Sequence, residues 1–241
     1  MQIPIIEISN MKISIVIPAY NEEKYIGKTL ESLRNQSIMP DEIIVINASS
    51  TDGTETVSKL GGAIVITVPH KTVGYSRQVG IERATGDIVI FTDADTIHPT
   101  HWVERVRYHL EKPNVSCVTG IFKTIDGPLP YRIFTNIVQP IQNQVLYAFG
   151  LVMATGQNLS FWRKKALAVG GIPKNYKIAE DLELARRLKK VGKVIFDRNL
   201  IVYSSGRRGN EGFGFIFRNI KAFFYYFIFR KADIVGFPDI R

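Results

Sequence analysis

Asp93 and Asp95 bracket a single alanine directly after an apolar, β-branched run at residues 87–92. Two carboxylates at that spacing can share one hard divalent cation, with water and phosphate oxygens completing its shell. Mg2+ or Mn2+ suits such ligands, and a cation there would neutralise the charge that develops when a phosphorylated donor breaks its bond. By spacing alone the pair also reads as a solvated acidic turn at a strand end. A second pair, Glu180-Asp181, opens a helical stretch after the turn Gly170-Gly171-Ile172-Pro173. An ionised carboxylate there can accept the proton of an attacking hydroxyl within hydrogen-bond reach, or it can simply offset the dipole of its helix. A third polar corner, Pro18-Ala19-Tyr20-Asn21-Glu22, stands between a strand and a helix. Such a corner can hold a nucleotide, or it is a plain start to a helix, with Asn21 as cap and Glu22 in the first turn.

One match fails on inspection. Gly27-Lys28-Thr29 resembles the end of a phosphate-binding P-loop, but Glu22 stands where that motif needs glycine, and the triplet falls inside a helix. No G-x-G-x-x-G follows the first strand, so a dinucleotide site loses its main support.

The elements that must position these groups alternate. Residues 13–17 form a short apolar strand, and Ile26, Leu30 and Leu33 then recur at helical spacing. Strands at 42–46, 63–68 and 87–92 alternate with helices at 54–60 and 73–84, the latter closed by Gly86 as a C′ residue. A helix with Val103, Val106 and Leu110 on one face precedes a strand at 115–122. The pattern predicts an α/β fold: a Rossmann-like, mostly parallel central sheet flanked by helices, with ligands at the carboxyl ends of the strands. Beyond it, Pro128, Pro130 and Pro140 interrupt an apolar segment that runs to Ala154. A strand at 158–162, a helix at 180–191 with Leu184, Leu188 and Val191 inward, and strands at 194–196 and 200–203 complete the reading. The divisions expected are an N-terminal extension at 1–11, one domain at 12–211 with halves 12–122 and 123–211, and a helical aromatic and basic tail at 212–241.

The 241 residues carry 31 Lys+Arg against 22 Asp+Glu, a formal charge of +9, which predicts an anionic partner. The basic residues are spread without a recognisable binding motif, so nucleic acid ranks last among such partners. Arg218 and Lys221 lie among aromatics at residues 213–229, which suits a helix in an acidic membrane interface, or core packing or a dimer contact. A polyprenyl phosphate or other lipid-linked acceptor at a membrane surface fits this balance, and a homo-oligomer stays open. Arg207 and Arg208, in a run containing Gly206, Gly209, Gly212 and Gly214, form either a loop that closes on phosphates or a solvated basic loop. The lone Cys117 excludes a disulfide framework. Residues 1–10 lack a secretory pattern, and no apolar run reaches the roughly 18 residues of a spanning helix. A cytoplasmic location, peripheral on the inner face of the cell membrane, is expected.

Taken in order, SIVIPAYNEE, STDGT, FTDAD, TGQNLSF and AEDLELARRL resemble the family 2 inverting glycosyltransferases of the GT-A fold, over residues 12–203. The resemblance implies that Pro18, Ala19, Tyr20 and Glu22 bind the nucleotide of a nucleotide-diphosphate-sugar donor, and that 12–122 is the nucleotide-binding half and 123–211 the acceptor half. It implies that Asp93 and Asp95 hold the metal on the donor diphosphate, with Asp93 also at the nucleotide, and that Asp181 is the base. Arg77, in GYSRQVGIERATGD, resembles the arginine of the family's A-R-N-x-G segment and is expected at the nucleotide; Asn158 and Glu180 are expected at the acceptor. Asn47 stands where the family usually has aspartate, and as both donor and acceptor it can still meet a base N–H. The implied chemistry is a single displacement with inversion. Rival readings are a non-catalytic nucleotide-sugar-binding pseudoenzyme and a sugar-phosphate nucleotidyltransferase, whose glycine-rich start is missing here.

Overall fold

A computed structural model describes residues 11–173, 176 and 179–212. The aromatic and basic tail therefore lies outside the described residues. In chain order the elements are β1 (Ile13–Ala19), α1 (Glu23–Arg34), β2 (Glu42–Asn47), α2 (Thr54–Leu60), β3 (Ile64–Thr67), α3 (Val73–Arg83), β4 (Ile88–Phe91), β5 (Thr96–Ile97), α4 (Trp102–Leu110) and β6 (Val115–Thr124). There follow α5 (Leu129–Ile133), α6 (Gln139–Ala148), β7 (Leu159–Trp162), α7 (Arg163–Ala168), α8 (Glu180–Leu188) and β8 (Lys193–Ser204).

The strands form one sheet in the order β3-β2-β1-β4-β7-β6-β8-β5. β1 to β4 make a parallel block with β1 inside it, pairing on one side with β2 and on the other with β4. The β-branched runs of β1, β2 and β4 are buried on both faces, as parallel strands between helices must be, while β3 at the edge stays partly exposed. β7 runs antiparallel to both β4 and β6, while β6 and β8 are parallel and β5 is an antiparallel edge. The sheet is therefore more mixed than strand-helix alternation alone predicts. On one face α1 and α4 bury Ile26, Leu30, Leu33, Trp102, Val103 and Val106; on the other, α3, α7 and α8 bury Ile81, Ala166, Leu184 and Leu188. No described helix is long and apolar enough to cross a membrane.

Four local expectations change. Gly86 does not end α3 as a left-handed C′ residue; a Cβ there would lie 2.5 Å from Ser14 Oγ and 2.8 Å from the Ser14 nitrogen, so glycine is needed for close approach of two backbones. Val191 lies past the end of α8 and is exposed, not inward. The two strands expected at 194–203 are one, β8, paired to β6 through a register irregularity. Pro128, Pro130 and Pro140 do not break their segment. Pro128 and Pro130 start α5, and a π-helical turn at Phe134–Val138 carries the helix into α6, where Pro140 occupies the first turn. Proline is tolerated in a helix's first turn, and the wider π turn relieves the carbonyl before it.

Candidate functional site

β1 and β4 are neighbours, so the corners that leave their carboxyl ends face each other. At the β1 corner Asn21 takes a left-handed conformation, φ 52°, and does not cap α1. Its Oδ1 instead accepts from the Thr51 N–H at 2.8 Å, and its own N–H donates to Ser50 Oγ at 2.9 Å. Asp52 accepts from the N–H groups of Thr54 and Glu23, which makes the STDGT segment a turn that holds two helix starts together. Ala19 is buried and its carbonyl accepts from the Ala48 N–H, Pro18 is half-buried, and Tyr20 meets His70 edge to face with centroids 3.9 Å apart.

At the β4 corner the backbone between the two aspartates is fixed from α1, where the buried Thr29 Oγ1 donates to the Ala94 carbonyl at 2.7 Å. Asp93 keeps 29% of its side chain exposed and Asp95 12%. Arg77 Nη2 donates to Asp93 Oδ1 at 2.7 Å. On the other aspartate, Arg207 Nη2 lies 3.2 Å from Asp95 Oδ2 while donating to Glu22 Oε1 at 2.6 Å. Burial pushes Asp95 up to about 6, with Asp93 and Glu22 adding to the shift and Arg207 opposing it. A buried carboxylate with that much demand for positive charge, beside a second, is a fitting donor set for Mg2+ or Mn2+. No group of three or more His, Cys, Asp or Glu is gathered for a metal among the described residues. The protein thus supplies a partial set of hard oxygens, and a phosphate ligand must supply others.

The second carboxylate pair begins α8. Asp181 Oδ2 accepts from the Gly156 N–H at 2.7 Å and its Oδ1 from the Leu182 N–H at 2.8 Å. Glu180 accepts from Arg77 Nη1 at 2.5 Å. Burial raises the pKa of both: for Glu180 the neighbouring Asp181 adds to the rise and Arg77 opposes it, and for Asp181 Arg77 and the two N–H groups oppose it. Arg77 is thus the hub between the two acidic pairs. Burial works against its charge, but Asp93 and Glu180 outweigh burial and hold its pKa up. Gly156 lies against the guanidinium; a Cβ there would stand 2.1 Å from Arg77 Cζ, so no larger residue fits without moving the hub.

Several of the residues expected at the donor or acceptor are engaged within the protein. Asn158 is fully buried, accepts from Trp102 Nε1 at 3.0 Å, and donates to the carbonyls of Ile121 and Leu200 at 2.9 and 2.8 Å. Asn47 uses its amide within the protein. It is 1% exposed, its Oδ1 takes the Ser50 N–H, and its Nδ2 donates to Glu55 and Thr67. Glu180 is turned to Arg77, and Arg77, 4% exposed, sits beneath the carboxylates. Arg208 is exposed beside the site, while Arg207 enters it. Residues that the sequence reading passed over are Gly156 and Thr29. The first was visible as the glycine of TGQN, the second only as the polar member of a buried helix face.

Residues 14–170 match glycosyl transferase family 2. An uncharacterized glycosyltransferase of Haemophilus influenzae is 37% identical over 119 residues, 47% of this chain and 37% of that protein. The poly(ribitol-phosphate) beta-glucosyltransferase of Bacillus spizizenii is 32% identical over 154 residues, 58% of this chain and 24% of that protein. The matches thus span well under half of these relatives' length. Among solved structures, a mannosyltransferase of Pyrobaculum calidifontis in complex with GDP-Man and Mn2+ superposes with a TM-score of 0.68 at 20% identity, over 88% of this chain and 61% of that one. Glucosyl-3-phosphoglycerate synthase of Mycobacterium tuberculosis, in complex with Mn2+ and UDP-Glc, gives 0.66 at 23% identity, over 89% and 78%. With the family matched over most of its length and the sheet shared with these neighbours, the chain belongs to glycosyl transferase family 2 and has the GT-A fold.

Proposed function

We propose that this chain moves a sugar from a nucleotide-diphosphate-sugar donor to an acceptor hydroxyl or phosphate, with inversion, using a divalent cation held by Asp93 and Asp95. The observation that carries the reading is that one buried guanidinium, Arg77, bonds both Asp93 and Glu180, so the D-x-D and E-D pairs converge across a single side chain. Neighbouring structures that hold Mn2+ with GDP-Man or UDP-Glc support the assignment of cation and donor class. When bound, the cation would neutralise the departing diphosphate, so that no acid need protonate it. Asp181 is the base. Each of its oxygens accepts one backbone N–H, which fixes the carboxylate and leaves lone pairs for an acceptor hydroxyl. Burial raises its proton affinity, and a base gains from that provided it is ionised at the working pH. Pro18, Ala19, Tyr20 and Glu22 line the β1 corner, where the nucleotide would lie across the strand ends. An acceptor carried on a lipid, such as a polyprenyl phosphate, fits the net charge of +9 and the exposed apolar side chains of α5, the π-helical turn and α6, which include Leu129, Ile133, Ile137 and Ile141.

The test is a thermal-shift series with UDP, GDP, CDP and dTDP sugars, with and without Mn2+, followed by NMR assignment of the product anomer. One nucleotide class should raise Tm in a metal-dependent way. Asp181→Asn should keep that shift and lower kcat by about 100-fold or more. Wild-type turnover in Asp181→Asn would remove Asp181 as base, and a retained anomeric configuration would overturn the single displacement.

A further inference from the structure

Both aspartates of the D-x-D are already occupied by guanidinium groups, and the two arginines differ in whether they can leave. Arg77 lies within α3, buried beneath Gly156 and tied to two acidic elements, so its departure would dismantle the site. Arg207 comes from outside, on the 3₁₀ turn Arg207–Glu211 that follows β8. Its guanidinium spans Glu22 Oε1 at 2.6 Å and Asp95 Oδ2 at 3.2 Å, and covers the Tyr25 ring at 4.6 Å from the centroid. The turn is anchored below by Asp126, which accepts from Ser205 Oγ and the Gly206 N–H, and it ends at Gly212, φ 60°. The arginine therefore reaches the site from a turn whose base is fixed at Asp126, while its own ties to the D-x-D corner are side-chain contacts alone.

A guanidinium against a buried carboxylate satisfies the same demand for positive charge that a divalent cation would, and the two cannot share Asp95 without strong repulsion. Resting on the metal-donor reading above, we propose that Arg207 holds the cation's place in the ligand-free protein. The cation then enters together with a nucleoside diphosphate, whose phosphate oxygens give the displaced guanidinium a new anionic partner. Cation alone must part Arg207 from Asp95, leaving the guanidinium only Glu22 as an anionic partner and the cation's repulsion beside it; cation with diphosphate exchanges one ion pair for another. Coupling of this kind is reciprocal, so Arg207 that opposes bare metal also makes nucleotide and metal bind cooperatively.

The experiment is Mn2+ binding, read by electron paramagnetic resonance as loss of the free-ion signal, on the full chain with and without UDP and GDP. Wild type should bind Mn2+ alone weakly and gain at least about 100-fold in affinity with the nucleotide it accepts. Arg207→Gln and Arg207→Ala should bind Mn2+ alone at least about 10-fold more tightly than wild type and lose at least that factor of cooperativity. Arg208→Gln removes the same charge one residue away and should change the affinity for Mn2+ alone by less than about threefold. Circular dichroism melts confirm folding of each variant. Unchanged or weaker binding of Mn2+ alone in both Arg207 variants would overturn the proposal, as would an equal gain in Arg208→Gln, which would make the effect a general field. Absence of Mn2+ binding to any variant, with or without nucleotide, would instead overturn the metal-donor reading beneath it.

Discussion

Asn158 ties three distant stretches of chain through one amide: the Trp102 indole on α4, the Ile121 carbonyl on β6 and the Leu200 carbonyl on β8. The expectation that it meets an acceptor came from its segment's position in the family pattern, and no local signal reveals partners 37, 42 and 56 residues away. The two acidic pairs were legible for the opposite reason, since their chemistry depends on adjacent residues at the end of a strand and the start of a helix. That Arg77 joins the two pairs is not legible in the sequence, because its partners come from the corner after β4 and the start of α8, and only the assembled sheet makes it a hub. Asn158→Ala should leave an indole N–H and two carbonyls without partners in a dry interior. At about 1–3 kcal/mol for each unsatisfied buried group, a loss of at least about 3 kcal/mol in denaturant unfolding is expected. Asn158→Asp should be worse, because it sets an oxygen against both carbonyls. Below the melting range, acceptor KM for Asn158→Ala should match wild type; a raised KM with unchanged stability would return Asn158 to the acceptor.

At the scale of elements, α1 acts as the jig for the D-x-D corner. Beyond Thr29, its Ser32 accepts from the His98 backbone N–H at 3.2 Å, and Gln36, just past its end, accepts from the Val103 N–H and donates to the Pro99 carbonyl. The helix itself was legible from Ile26, Leu30 and Leu33, all fully buried as their spacing required. Its polar face was not, because periodicity marks apolar positions and is silent on which hydroxyl reaches which loop. His98 completes the clamp between Ser32 Oγ, 3.1 Å from Nδ1, and Thr92 Oγ1, 2.8 Å from Nε2, with its ring 4.2 Å from that of Trp102. Ser32 donates its own hydrogen to the Thr29 carbonyl, which assigns the imidazole proton to Nδ1 and leaves Nε2 to accept from Thr92. Burial pushes His98 down to about 3, so it stays neutral in the folded protein while the unfolded chain takes up a proton near pH 6.5. Between those values the unfolded state binds one more proton, and stability falls as pH falls, by about 1.4 kcal/mol per unit from this group. Unfolding free energies at pH 7.5, 6.5, 5.5 and 4.5 should show that decline in wild type, on the order of one proton steeper than in His98→Gln. Parallel curves for the two proteins would mean that His98 is not held neutral.

For the whole molecule, strand-helix alternation was enough to predict the parallel block from β1 to β4 and its helices, since each βα unit is a local pattern. The insertion of β7 between β4 and β6 was not predictable, because antiparallel pairing between strands this far apart in the chain leaves no periodic trace. The apolar segment that followed was read as interrupted by proline, yet it forms one continuous ridge. Leu129, Ile133, Ile137, Ile141, Val145 and Phe149 recur every fourth residue with exposures of 66, 48, 56, 59, 49 and 79%. A four-residue repeat drifts around a regular α-helix, and the π turn, which winds more residues into a turn, takes up part of that drift. Arg132 is the sole charged residue from 129 to 149. Basic groups bound the ridge, with Lys189 donating to the Gly150 carbonyl at one end and Tyr131 packed on Gly209 of the arginine-bearing turn at the other. Under the lipid-linked acceptor proposed above, an apolar face with a basic rim, on a chain of net charge +9, would meet an anionic lipid surface next to the Arg207 side of the site. The full chain should therefore sediment with vesicles containing anionic phosphatidylglycerol, less so as salt rises, and poorly with neutral phosphatidylcholine alone. Ile137→Glu with Ile141→Glu should weaken that binding by about 10-fold or more, with Tm unchanged because both side chains are already exposed. Should the wild type prove a dimer by sedimentation velocity, the double variant a monomer, and neither bind vesicles, the ridge is a contact between copies and the acceptor need not be lipid-borne.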